Sequence, residues 1–202
     1  NKIVLSKLKS IIKGIKKGCK IADCELVGGE TAEMPGTFQK GGVESVAALF
    51  SVQEGGYGIS LSSFDTEDLL VFSMDGVGTK TRIAHEVGEY SGLIQDLTHH
   101  SFNDILCMGA SPLGILFYLG CHSKATIDIH TLFSNEISCP ILDQRIQEKP
   151  SLYQAGEFDL CGAIVGRVKK SELLPRKSIQ AGDLLLALPS NGLHTNKYFN
   201  LK

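Results

Sequence analysis

No stretch of this sequence approaches the ~18 consecutive apolar residues that a membrane-crossing helix requires, so no bilayer-spanning segment is expected. The amino end lacks a secretory pattern, because its apolar residues are interleaved with lysines. It begins with Asn1 rather than Met, so this need not be a native start. An excess of one charge is also missing. The formal net charge is −2, which argues against a general nucleic-acid or membrane-surface partner, although seven lysines fall within the first twenty residues. The six cysteines (Cys19, Cys24, Cys107, Cys121, Cys139, Cys161) form no CxxC pair. That usage fits reduced, mostly buried thiols of a cytoplasmic protein and gives zinc no ligand spacing. Internal repeats, low-complexity tracts and the GxxxxGK[ST] phosphate loop are absent as well.

What is present is ordinary for a soluble fold. The 202 residues are 43% hydrophobic and 21% charged, enough for one large domain or for one domain and the start of another. Residues 3–19 read as an amphipathic helix, with Val4, Leu8, Ile11, Ile12, Ile15 and Cys19 at helical spacing, and Gly18 near its end. A short strand is expected at Cys24–Val27, and a hairpin from Val46–Val52 and Tyr57–Leu61 around Glu54-Gly55-Gly56. Further strands are expected at Leu69–Phe72, Leu113–Leu119, Leu160–Val168 and Leu184–Leu188, a helix over 91–109, and a partly helical connector over 133–151. Strands, helices and glycine turns alternate loosely, so the class is α/β or α+β.

The chemistry concentrates in Asp75-Gly76-Val77-Gly78-Thr79-Lys80. A carboxylate at a strand exit offers oxygen to a hard cation, two glycines let the backbone approach an anion, and a lysine offsets its charge. A Gly-rich strand-to-helix turn with no ligand has the same look. Glu30 follows Gly28-Gly29 in a second such stretch, and Asp96, His99 or His100, Asn103 and Asp104 recur at helical spacing. Carboxylates crowded in one cleft repel unless a cation neutralises them, and Mg²⁺ with nucleotide phosphates meets that need. The two histidines are possible transition-metal ligands, but their neighbours are oxygen-rich, and exposed helix histidines are common without a ligand role.

The segments DGVGTK (75–80), NDILCMGASPL (103–113), LVGGETAEMPG (26–36), FDLCGAIVG (158–166) and GDLLLALPSNGLHTN (182–196) resemble phosphoribosylformylglycinamidine cyclo-ligase, or aminoimidazole ribonucleotide synthetase. The resemblance implies ATP-dependent ring closure of formylglycinamidine ribonucleotide in purine biosynthesis, in a cytoplasmic homodimer. It implies Mg²⁺ at Asp75, Asp96, Asp104 and Glu30. Phosphate contacts would come from Gly76, Val77, Gly78, Thr79, Lys80, Gly28 and Gly29, with Asn103 orienting a carboxylate or the nucleotide. His194 would be a phosphate ligand or proton donor, although a turn histidine bonded to backbone would look the same. The implied fold is an α/β N-terminal domain whose strands form a β-barrel with a second subunit, helices packed outside.

Two features depart from the family's pattern. GGETAEMPG precedes DGVGTK here rather than following it, so residues 1–38 look transplanted from a position just before about 152. Residues 1–188 read as the ATP-binding N-terminal-type domain and 189–202 as the start of a truncated second one, which puts activity of this length of chain in doubt. Rival readings are a non-catalytic dimerisation or nucleotide-binding fragment, and another ATP-using superfamily member such as selenophosphate synthetase or thiamine monophosphate kinase.

Overall fold

The computed structural model describes residues 5–29, 31, 48, 52–53, 59–60, 65–124, 137 and 139–189. In chain order the elements are α1 (Leu5–Ile21), β1 (Val52–Gln53), β2 (Ile59–Ser60), β3 (Asp68–Gly76), α2 (Lys80–Val87), α3 (Leu93–Leu106), β4 (Ser111–Cys121), β5 (Ile141–Glu148) and β6 (Phe158–Lys169). Four of the strands form a sheet in the order β3-β6-β4-β5, antiparallel except for the parallel β4–β5 pair. The class is mixed α/β, as expected. The sheet is open rather than closed into a barrel.

β6 is central because its alternation serves two faces. Phe158, Leu160, Gly162, Ile164, Gly166 and Val168 share one face by the two-residue period of a strand, and α3 lies over it. Two of those positions are glycine for a steric reason. A Cβ on Gly162 would stand 3.2 Å from Leu97 Cδ2, and one on Gly166 would stand 2.7 Å from Ile105 Cδ1 and 2.9 Å from the Ser111 carbonyl oxygen. A side chain at Gly162 would need its neighbours to give by a few tenths of an ångström, and one at Gly166 would need Ile105 or the backbone to shift. Leu93, Ile94, Leu97 and Ile105 are buried there with Ile115, Leu119, Leu160 and Ile164. Thr98 and Ser101 are buried too, and their hydroxyls donate to the Ile94 and Leu97 carbonyls (2.7 and 2.9 Å), so no donor is stranded.

Several expectations are corrected. The connector over 133–151 contains β5, bracketed by Pro140 and Pro150 rather than interrupted by them. Its Asp143, Gln144, Arg145, Gln147 and Glu148 suit an edge strand, where charge discourages further pairing. Leu142 fills the space that a side chain on Gly114 would need. The expected hairpin is not one: Val52–Gln53 pairs with Ile59–Ser60 in parallel. Glycine tolerates either sign of φ, so the glycine-rich sequence between the two does not dictate a reversal.

Cys24–Val27 and Leu184–Leu188 have no regular structure. Leu184, Leu185, Leu186 and Leu188 are 93–96% exposed, because no described strand offers them an edge. α1 runs through Gly18 to Ile21 and stops where Asp23 takes a left-handed φ of 52°. None of its residues is buried, so its apolar stripe is unpacked among the described residues. Leu106, the last residue of α3, is 60% exposed. All six cysteines are thiols, but only Cys121 and Cys139 are buried. Burial pushes both of those thiols above their ordinary pKa, which keeps them protonated and unreactive.

The α3–β6 contact yields two stability tests. Leu97→Ala is expected to cost ~2–5 kcal/mol, the range for emptying a buried leucine site. Gly166→Ala is expected to cost ~1–3 kcal/mol through overpacking against Ile105 and the Ser111 carbonyl. Urea unfolding midpoints measure both, and an unchanged midpoint for Gly166→Ala would show that the helix shifts without resistance.

Candidate functional site

β3 does not end at the apolar run but continues through Asp75 and Gly76, so Asp75 is the penultimate residue of an ordered strand. By alternation Ser73 and Asp75 point to the face that α3 covers, with Leu69 and Val71. α3 answers with side chains four residues apart. Asp104 Oδ2 accepts from the Ser73 hydroxyl at 2.7 Å, His100 Nε2 lies 2.5 Å from Asp75 Oδ2, and Asp96 Oδ2 lies 2.5 Å from Lys80 Nζ. Residues 96, 100 and 104 thus form one row on the helix, meeting Lys80, Asp75 and Ser73 in turn.

Asp75, His100 and Asp104 make the one group of three metal-ligating side chains found among the described residues, with ligand atoms all within 4.8 Å of one another. Asp75 is partly buried and the other two are exposed, so the cluster is a solvent-facing notch at the sheet end. Two carboxylates converging on one point suit a divalent cation. Asp96 stands outside this group, in its ion pair with Lys80. Its place is one turn of α3 nearer the start of α2, on the path from the cluster to the loop.

The loop between β3 and α2 is tied down at specific points. The Gly76 N–H donates to Asp75 Oδ1 (2.7 Å) and the Val77 N–H to the Leu160 carbonyl (2.9 Å). Gly78 has φ of 69°, a conformation that a side chain would strain, and its carbonyl accepts from the Thr81 hydroxyl at 2.9 Å. α2 then starts at Lys80, so its first turn opens beside the carboxylates. An anion there meets the positive end of the helix and the lysine together.

None of the other described residues singled out from the sequence belongs to this cluster. Asn103 is exposed on α3, next to Asp104. His99 is exposed and outside the cluster. Gly28 and Gly29 lie in exposed irregular chain after α1, with no heavy atom within 4 Å of where a Cβ would be. Glu30 and His194 lie outside the described residues.

Sequence reading gave no role to Asp159, which is only 8% exposed at the start of β6. Its Oδ1 accepts from the Leu160 N–H at 2.9 Å, and the Leu160 carbonyl in turn fixes Val77. Its signal in the sequence is a carboxylate set in an apolar run, the same signal that marks Asp75.

Comparison with known proteins follows from this geometry. The family model described as AIR synthase related protein, N-terminal domain, matches residues 1–52 and 55–168. Phosphoribosylformylglycinamidine cyclo-ligase of Synechococcus elongatus is 40% identical over 138 residues, covering 65% of this chain and 40% of that protein. The enzyme of the same name from Paraburkholderia xenovorans is 36% identical over 164 residues, covering 78% of this chain and 44% of that protein. The chain thus spans less than half the length of these relatives. A solved structure, T. maritima PurL complexed with AMPPCP, is 19% identical over 57% of this chain and 19% of its own, with a TM-score of 0.44. With most of its length matched by that family model, this chain belongs to the family of AIR synthase related proteins, of which it carries the N-terminal domain.

Proposed function

We propose that this chain is the nucleotide-binding part of a phosphoribosylformylglycinamidine cyclo-ligase. The observation that carries the reading is the convergence of Asp75 and Asp104 beside the Gly78–Lys80 turn, in a chain about 40% identical to proteins of that name. The reaction is ATP-dependent closure of formylglycinamidine ribonucleotide to aminoimidazole ribonucleotide. An amide oxygen leaves poorly, so the γ-phosphoryl group of ATP is transferred to it, releasing ADP. A substrate nitrogen then attacks the activated carbon, a proton is lost, and phosphate departs with the former amide oxygen.

The protein's share of this work is positioning and charge stabilisation. Asp75 and Asp104 hold Mg²⁺, which neutralises the phosphates when bound. Lys80, steered by Asp96, faces phosphate oxygens from the first turn of α2, and Asn103 orients the nucleotide. Glu30, Gly28, Gly29 and His194 complete the site in this reading, with Glu30 a further cation ligand and His194 a phosphate ligand or proton donor. Asp159 acts as a positioning residue by fixing the strand end to which the loop is tied.

The remaining proposals concern assembly. The face of the sheet opposite α3 exposes Phe72 (38%) and Met74 (36%), and a shallow cavity of about 200 Å³ lies on it between Met74, Leu116, Tyr118 and Arg145. A second subunit covering that face would make a cytoplasmic homodimer with a shared barrel. Residues 1–188 form the domain of ATP-binding type, and the chain from 189 onward begins the next. The leucines at 184–188 pack against that next domain in the longer protein. Residues 1–38 stand out of family order in this reading, because GGETAEMPG precedes DGVGTK.

Calorimetry with Mg-ATP tests the central proposal. The chain is expected to bind Mg-ATP, and Asp75→Ala to weaken binding at least about tenfold, in keeping with the loss of a charge-paired ligand. Equal, undetectable binding by both proteins would favour a non-catalytic dimerisation module. Sedimentation at micromolar concentration checks the homodimer, and a monomer there would count against it.

A further inference from the structure

His100 is the feature of the cluster that a magnesium site does not call for. Magnesium prefers oxygen ligands in a near-octahedral shell and gives up its water reluctantly. Imidazole nitrogen suits the later first-row divalent ions, whose affinity for mixed nitrogen and oxygen sites rises along the series toward copper. Here the imidazole is no bystander on the helix surface. Its Nε2 is directed at Asp75 Oδ2, 2.5 Å away, although the side chain is 54% exposed and has solvent available on its other side. Asp104, one helical turn further along α3, brings a second carboxylate within 4.8 Å of both. Its position is set by the Ser73 hydroxyl at 2.7 Å.

We propose that His100 makes the Asp75–Asp104 cluster a mixed nitrogen–oxygen site that takes a transition divalent cation of the manganese, cobalt or zinc class in preference to magnesium. The inference rests on the reading in which these two carboxylates hold the cation that accompanies the nucleotide. The ligand set is one imidazole and two carboxylates, supplied by one strand and by two helix positions four apart. Metal–nitrogen and metal–oxygen bonds in such sites are ~2.0–2.2 Å, so ligand atoms around one ion stand ~3–3.5 Å apart. The His100–Asp75 contact must open by less than 1 Å from its present 2.5 Å to admit an ion, a change within reach of exposed side chains. In the absence of metal that contact keeps the two ligand atoms together. Lys80 is paired with Asp96 at the start of α2 rather than with any of the three ligands.

Co²⁺ is a suitable probe, because its visible absorption reports nitrogen and oxygen ligation and a near-ultraviolet charge-transfer band reports thiolate. Titration of the chain is expected to give one Co²⁺ with visible bands and no thiolate band, although Cys107 is exposed. His100→Asn is expected to weaken Co²⁺ at least about tenfold while changing Mg²⁺ affinity less than about threefold, as loss of a nitrogen ligand affects the two ions differently. Asp75→Asn weakens both ions. Equal Co²⁺ affinity in wild type and His100→Asn overturns the inference, as does binding that shows only a thiolate band. The two readings fail separately. If Asp75→Asn lowers Mg-ATP affinity but His100→Asn leaves Co²⁺ unaffected, only the metal preference falls. If Asp75→Asn leaves Mg-ATP affinity unchanged, the nucleotide site itself falls.

Discussion

The close seating of α3 on β6 is the constraint on which the rest of the structure depends. It is set by two glycines, Gly162 and Gly166, into whose missing side chains Leu97 and Ile105 settle. Once the helix axis is held at that distance, the polar row 96–100–104 is brought level with the end of β3. The three contacts that follow are partly exposed, and pairs of that kind contribute at most ~1 kcal/mol each. They do not hold the fold together. The apolar packing beneath them does so, and the polar row takes its geometry from that packing. A site built this way is positioned by the core and remains open to solvent, which an exchangeable ligand requires.

The same arrangement explains why so few side chains define the site. β3 contributes Ser73 and Asp75 through strand alternation, and α3 contributes His100 and Asp104 through helical repetition, with no loop needed to fold back. The loop that does take part, Val77–Thr79, is tied by the Val77 N–H to the carbonyl of Leu160. That bond also couples the turn to β6 and to the buried Asp159 beside Leu160. The Asp75–His100–Asp104 cluster, the Gly-rich turn and the sheet centre are thereby joined over a few residues.

Much of this was legible in the sequence where one periodicity was unopposed. The apolar runs at 69–72, 113–119 and 160–168 became strands because each is bounded by polar or turn residues and finds a partner of similar length. The spacing of Asp96, His99 or His100, Asn103 and Asp104 put most of them on one helix face, without choosing between the two histidines. What the sequence did not show was pairing. Leu184–Leu188 has the composition of a strand but, among the described residues, no neighbour to bond with, so composition alone was insufficient. β5 has the opposite problem: its residues are mostly polar, and it is a strand because β4 offers an edge. The direction of the 52–60 pair was illegible for a related reason, since glycine-rich links carry no handedness. The Asp75 partner of His100 was not legible, because a histidine on an exposed face carries no mark of what stands opposite.

The leucines at 184, 185, 186 and 188 have a consequence for synthesis. Each would gain ~1.5–3 kcal/mol from burial, so together they form a strongly adhesive stretch while uncovered. A ribosome adds only ~5–20 residues per second, so the sheet and its helix can be complete while that stretch is still bare. While uncovered, a stretch of that kind is a surface to which chaperones and other apolar chains adhere.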